Sequence, residues 1–222
     1  MLSDGAWIPG VRVENASFSL TITALHNAIT TAVTLGRTDI VGAATTAPIR
    51  SRERDFLHAI ADQPLTRSTA TTLGLLPASL PDQPLSLSDA TQPTDPLAAV
   101  RMITHRARVP ESNFPVGCIA RTPDGVAIPG VNVEIDDWGQ ILCAERNALS
   151  TAWSYGYTAF TSLTLTCPRD PQGTPCGSCR QVIVELATEA DIRCDRHADG
   201  IETYRPDELL PAFFVGGVLR SA

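Results

Sequence analysis

The heptapeptide Ile8-Pro9-Gly10-Val11-Arg12-Val13-Glu14 recurs 120 residues later as Ile128-Pro129-Gly130-Val131-Asn132-Val133-Glu134, with one change. The register then holds without a gap through Ala24/Ala144, Asn27/Asn147, Ala28/Ala148, Thr31/Thr151, Ala32/Ala152 and Gly36/Gly156. A second echo sets Leu75-Leu76-Pro77 against Leu209-Leu210-Pro211. Self-similarity over so many positions in one register marks an internal duplication, so the chain is expected to fold as two related units. Its 222 residues suffice for two small domains. The first copy starts late, because nothing precedes it that matches Leu97 to Gly117.

Taken in order, Pro9-Gly10 reads as a turn between two short extended runs. Leu20 to Leu35 has helical character, with Gly36 as its stop. The stretch from Pro77 to Pro96 is rich in Pro, Ser, Asp and Gln and reads as a linker. The expected division is a truncated first domain over 1–80, a linker over 81–96 and a second domain over 97–222. Within the second, Leu97 to Ala107 reads as a helix burying Leu97, Val100, Met102 and Ile103. Phe114 to Ala120 reads as a buried strand, Asp124-Gly125 as a hairpin turn and Val126 to Glu134 as the returning strand. Cys143 to Tyr155 is expected to be helical, Leu163 to Thr166 a strand and Ser178 to Ala187 a helix. Alternating strands and helices imply an α/β layered fold, and the hairpin makes its sheet mixed.

The copies differ where chemistry would sit. Cys143 faces Thr23, and Glu145 faces Leu25. Pro175-Cys176-Gly177-Ser178-Cys179 is set against Pro48-Ile49-Arg50-Ser51-Arg52, so the first copy keeps the frame and lacks the cysteines. Three thiolates from Cys143, Cys176 and Cys179 would hold a zinc ion with one position open for water, the mark of a catalytic site. Each sits where a helix is expected to open, which favours the thiolate form. Arg146 and Arg180 are adjacent cations placed to offset the excess negative charge. Glu145 is not needed as a ligand and is placed to move a proton. A closed zinc site with Cys118, Cys167 or Cys194 as fourth thiol, or a redox Cys-x-x-Cys, would use the same cysteines without giving Glu145 a role. His26, His58, His105 and His197 have no ligand spacing. The net charge of −7 argues against a face that grips nucleic acid. No window has the length of a membrane span and no signal-peptide pattern opens the chain, so a cytoplasmic protein with reduced thiols is expected.

Cys143-Ala144-Glu145-Arg146-Asn147-Ala148, followed by Pro175-Cys176-Gly177-Ser178-Cys179-Arg180-Gln181, resembles the three-cysteine type of zinc-dependent cytidine deaminase family. Val109-Pro110-Glu111-Ser112-Asn113-Phe114-Pro115-Val116-Gly117 and Gly130-Val131-Asn132-Val133-Glu134 extend the likeness, which runs from Ala107 to about Phe214. The resemblance implies a three-layer α/β/α fold with a mixed sheet, here duplicated, and one zinc ion per chain in the C-terminal domain. It implies Cys143, Cys176 and Cys179 as zinc ligands, Glu145 as proton shuttle, and Arg146 as a hydrogen-bond donor to the thiolates. Asn132 and Glu134 would bind ribose hydroxyls, Phe114 would lie beside the pyrimidine ring, and the backbone at Ala144 would help hold the base. The implied reaction is hydrolytic deamination of cytidine and deoxycytidine to uridine and deoxyuridine, in pyrimidine salvage. Deamination of a cytosine-nucleoside antibiotic or modified nucleoside, or a zinc-stabilised binding module without catalysis, are the alternatives. The partner is expected to be a small nucleoside, with no nucleic acid and no membrane.

One departure stands out. The family's Glu is usually followed by Asn-Ala-Ser and an aromatic, in a loop that reaches a neighbouring subunit's site. Here Glu134 is followed by Ile135-Asp136-Asp137-Trp138, whereas the first copy has Glu14-Asn15-Ala16-Ser17-Phe18. The first copy is therefore expected to donate Ala16 and Phe18 to a catalytic pocket, in its own chain or in a partner. Two chains would then form a homodimer imitating a tetramer of deaminase-like domains.

Overall fold

A computed structural model of the protein describes residues 1–66, 68–87, 95–214 and 216. The first half contributes α1 (Ala24–Thr34), β1 (Gly42–Ala44), α2 (Ser51–Ile60) and β2 (Thr72–Gly74), with the two strands antiparallel. The second half contributes α3 (Pro96–Ile103), β3 (Gly117–Arg121), β4 (Ala127–Val131), α4 (Ala144–Ser154) and β5 (Ser162–Thr166). It continues with α5 (Gly177–Leu186), β6 (Asp191–Asp195), β7 (Ile201–Tyr204) and α6 (Pro206–Leu209). Its sheet runs β4-β3-β5-β6-β7. Only β5 and β6 are parallel, and α5 supplies the crossover that a parallel pair requires. The β3–β4 turn is where Asp124-Gly125 places it, with Gly125 at φ +87° and its N–H donating to the Thr122 carbonyl at 3.0 Å.

Strand alternation sorts two cores. Cys118, Ala120, Leu163, Leu165, Ile192 and Cys194 face Ala148, Leu149 and Ala152 of α4 and Val182 and Ile183 of α5. Ile119 and Val131 face the other way, against Ala99, Val100 and Ile103 of α3. Helices therefore cover both faces of the sheet, the expected α/β/α layering. The second core continues into the first half through Leu25, Ile29, Val33, Phe56 and Leu57.

Residues 120 apart meet across α1 and α4. Thr31 Oγ1 and Thr151 Oγ1 share a hydrogen bond of 2.8 Å. The Asn27 amide donates to Val11 O, Ser150 O and Ser154 Oγ at 3.0, 2.9 and 2.7 Å. The Asn147 amide donates to Val131 O, Thr30 O and Thr34 Oγ1 at 2.8, 3.3 and 2.8 Å. These are the same bonds under exchange of the two halves, so the helices pack about a local two-fold axis, as in an isologous interface. The relation extends outward. Val13 bridges Ile22 as Val133 bridges Leu142. The Met1 carbonyl accepts from Val41 N–H as the Arg121 carbonyl accepts from Thr161 N–H.

Two expectations change. Pro9-Gly10 is not a turn, and its counterpart Pro129-Gly130 lies inside β4. Glycine is required there by a close approach: a Cβ on Gly10 would lie 2.1 Å from Ala24 O, and one on Gly130 2.3 Å from Ala144 O. Of the expected linker, 88–94 lies outside the described residues. Its first part is packed against both halves: Leu87 joins the core under α4, Leu85 N–H donates to Trp7 O, and the Tyr155 hydroxyl donates to Leu85 O.

Candidate functional site

Cys143 is the N-cap of α4 and Cys176 the N-cap of α5, with Cys179 one turn further on. The three sulfurs lie within 4.8 Å of one another, and Cys143 and Cys176 are 3.8 Å apart. Two zinc–sulfur bonds of about 2.3 Å at a tetrahedral angle span about 3.8 Å, so this pair already has the separation the ion needs. The crowding sets the acidities. Contacts with Cys143 and Cys179, helped by the N–H groups of Cys179 and Ser178 at the start of α5, push the Cys176 thiol down. Cys176 in turn pushes Cys143 up, and Cys143 and Cys176 together push Cys179 up. One negative charge is easy to hold here and three are not, so the donor set fits a thiophilic dication that neutralises the others.

Glu145 is the second residue of α4 and is 4% exposed. Burial, then the charge of Cys176, raises its carboxyl above the ordinary range. A buried carboxyl with a raised proton affinity beside the sulfurs is suited to taking up and returning a proton.

The expected arginines divide. Arg146 donates through Nη2 to Leu20 O at 3.0 Å, and among the described residues its buried Nε has no partner. Arg180 does not face the thiolates. It donates to Pro175 O, Leu209 O and Thr174 Oγ1 at 2.7, 3.1 and 2.8 Å, and so pins the approach to Cys176. Arg196, which sequence reasoning passed over, is 5% exposed and donates to Pro171 O and Gly173 O at 2.8 and 2.9 Å. Only the folded path of 170–175 reveals either role.

Asn132 and Glu134 lie just beyond β4 and brace the segment carrying Phe114. Asn132 Nδ2 donates to Phe114 O at 2.9 Å, and its Oδ1 accepts from Val116 N–H at 2.8 Å. Glu134 accepts from the N–H groups of Glu111 and Ser112 at 3.2 and 3.0 Å and from the Ser112 hydroxyl at 2.6 Å. Phe114 and Cys143 pack against the same core, which includes the fully buried Ala144. The first-copy loop reaches this region within the same chain. Leu20 packs on that core, and Ala16 N–H donates to both oxygens of Glu185 on α5 at 3.1 and 2.9 Å. Phe18 is 77% exposed.

At the equivalent place in the first half, Thr23 caps α1 with the backbone of Cys143 (φ −77°, ψ 157° against φ −74°, ψ 158°). Arg50 is the N-cap of α2, so Arg50 and Glu53 stand where Cys176 and Cys179 stand, one residue beyond the expected Ile49 and Arg52. His26 replaces Arg146. Burial and Arg146 itself hold its imidazole down at about 4, and its ring meets the Gln140 backbone as Arg146 meets Leu20.

Residues 95–192 match the family described as the cytidine and deoxycytidylate deaminase zinc-binding region. A cytidine deaminase of Sporosarcina psychrophila is 37% identical over 119 residues, covering 53% of this chain and 88% of the relative. The chain belongs to the cytidine deaminase family. A second family member, from Halalkalibacterium halodurans, is 35% identical over 109 residues, covering 49% of this chain and 83% of its own. A solved cytidine deaminase from Burkholderia pseudomallei has a TM-score of 0.51 at 32% identity, covering 54% of this chain and 96% of that one. The family match leaves residues 1–94 outside it, although α1 and the segment around Val13 and Ile22 repeat the geometry of α4 and the segment around Val133 and Leu142. Among the described residues, no helix is long and apolar enough to cross a membrane.

Proposed function

We propose that the protein deaminates cytidine and deoxycytidine hydrolytically, releasing uridine or deoxyuridine and ammonia. The observation that carries this reading is Glu145, a buried carboxyl on the first turn of α4 beside three sulfurs that lie within 4.8 Å of one another. Cys143, Cys176 and Cys179 hold the zinc ion, which when bound supplies an activated water. The Glu145 carboxylate takes up a proton, passes it to the ring nitrogen of the base, and then assists departure of the amine. Asn132 and Glu134 recognise the sugar hydroxyls, Phe114 packs beside the pyrimidine, and the Ala144 backbone holds the base. Arg146 offers its free Nε to the thiolates. A sugar site built from these two polar side chains favours a nucleoside over free cytosine, which brings no hydroxyl to the acceptor direction that Glu134 keeps open.

Residues 1–80 are, in the same reading, a deaminase-like domain without metal ligands that serves as a built-in partner. Its loop around Ala16 to Leu20 lines the rim of the pocket in its own chain, supported by the Arg146–Leu20 and Ala16–Glu185 bonds. Two such chains pair as a homodimer, with the exposed Phe18 and Trp138 as candidate contacts.

The test is turnover by zinc-loaded protein, followed by ultraviolet absorbance and ammonia release across a panel of cytosine nucleosides. Glu145→Gln is expected to lower kcat by about 10²- to 10⁴-fold while one zinc per chain is retained. Full activity in that variant removes Glu145 from the proton path. No turnover of any nucleoside by the zinc-loaded wild type points to a binding module instead.

A further inference from the structure

We propose that Ser112 is a positioning residue that couples the sugar side of the pocket to the base side. The inference rests on the nucleoside-binding reading of Asn132, Glu134 and Phe114. Ser112 Oγ donates to Glu134 Oε1 at 2.6 Å and accepts from Phe114 N–H at 3.0 Å. One hydroxyl therefore ties the carboxylate assigned to the sugar to the backbone of the ring assigned to the base.

The carboxylate has little freedom. Its Oε2 takes two backbone N–H groups, from Glu111 and Ser112, and so uses both acceptor directions. Oε1 takes only the Ser112 hydroxyl among the described residues, which leaves one acceptor direction for a sugar hydroxyl. The Ser112 bond thus selects which lone pair of Glu134 faces the pocket. Glu134 is 4% exposed whereas Ser112 lies at the surface, so the pair spans the wall between buried carboxylate and solvent. Asn113, between Ser112 and Phe114, is held at φ +51°, in the left-handed region that asparagine adopts more readily than other residues with a side chain. The bonds on either side hold it there, and Asn132 clamps the segment again at Phe114 O and Val116 N–H.

The experiment measures binding of cytidine and of 2′,3′-dideoxycytidine by calorimetry, in zinc-loaded full-length Glu145→Gln protein with and without Ser112→Ala. In the Ser112 protein cytidine binds tighter than the dideoxy analogue. Ser112→Ala is expected to reduce that preference by about tenfold, the effect of one hydrogen bond to a charged group. Dideoxy binding falls by less, reporting only the loosened Phe114 backbone. Ser112→Thr, which keeps the hydroxyl, restores the preference. General loosening would weaken both ligands alike, so an unchanged preference in Ser112→Ala overturns the inference. If the Ser112 protein binds neither nucleoside, the nucleoside reading itself falls and this inference with it.

Discussion

Asp195 is 3% exposed, yet it stays ionised because four donors converge on it. Arg101 donates twice, at 2.7 and 2.6 Å, the Thr166 hydroxyl at 2.8 Å, and His197 N–H at 2.9 Å. Arg101 first, then Thr166 and His197, bring its carboxyl from 3.8 down to about 2. A folded-state value below the unfolded one stabilises the protein above the unfolded pKa and is lost as pH falls through the folded one. The difference corresponds to about 2.5 kcal/mol at neutral pH. Arg101→Ala should therefore cost about 2 kcal/mol at pH 7 by urea unfolding, and its deficit should narrow from pH 4 downward and nearly vanish by pH 2. A deficit independent of pH would show that Arg101 acts by packing alone. This pair was not legible in the sequence, because Arg101 reaches Asp195 at the end of β6 only once α3 has packed on β3 and β5. That Cys143, Cys176 and Cys179 would come together was legible, because they lie, like Glu145, at helix starts that local sequence marks. Arg180 shows the limit: adjacency to Cys179 put its charge near the thiolates, but three acceptors at 174, 175 and 209 claim the guanidinium.

At the scale of elements, the α1–α4 seam is where the halves are joined. Asn27 and Asn147 are fully buried and each place three amide donor contacts across or beside it; the partners of Asn147 are buried too, whereas Val11 and Ser154, which accept from Asn27, reach solvent. Replacing either by Ala takes a donor from buried partners, Val131 O and Thr34 Oγ1 for Asn147 and Ser150 O for Asn27, at about 1–3 kcal/mol for each group left unmatched. Asn27→Ala and Asn147→Ala should each lower stability by about 2–3 kcal/mol, and the double variant should lose less than the sum, because both belong to one network. Strict additivity in urea melts would mean that the two clusters are independent. The sequence shows that α1 and α4 are copies, since Asn27, Thr31 and Gly36 recur 120 residues on. It does not show that they touch. A repeat says that two faces are alike, and likeness permits stacking, separation or two-fold contact equally. The helices α4 and α5 and the strand β5 emerged within a residue of the expected bounds, whereas α1 begins four residues after Leu20, α3 ends four before Ala107, β3 begins three after Phe114 and β4 ends three before Glu134. The error at Pro9-Gly10 arose because glycine also serves where a helix passes too close for a Cβ.

At the scale of the whole molecule, the second core decides how far the halves are separable. Val131, Val133 and Ile135 of the second half share it with Leu25, Ile29, Val33 and Phe56 of the first. Removing residues 1–80 uncovers these side chains together with the α4 face that carries Asn147 and Thr151. That face is matched by a near copy of itself in the intact chain, so two truncated chains can present it to each other about the same axis. Exposed apolar surface of this kind drives association. The fragment 95–222 is therefore expected to sediment as a dimer, or to aggregate, at concentrations where wild type is well behaved. The replacement partner is imperfect. In the intact chain Asp137 is paired with Arg52, at 2.9 Å, on the first turn of α2. In a dimer of fragments that loop would meet the first turn of α5 instead, where Ser178 offers no cation. The fragment also lacks Leu20 and Ala16, which contact Arg146 and Glu185. Its kcat/KM for cytidine should fall by at least about tenfold even with zinc bound, the loss of roughly 1.4 kcal/mol of transition-state stabilisation. A monomeric fragment with wild-type kinetics would show that the first half contributes neither to the pocket nor to the fold of the second.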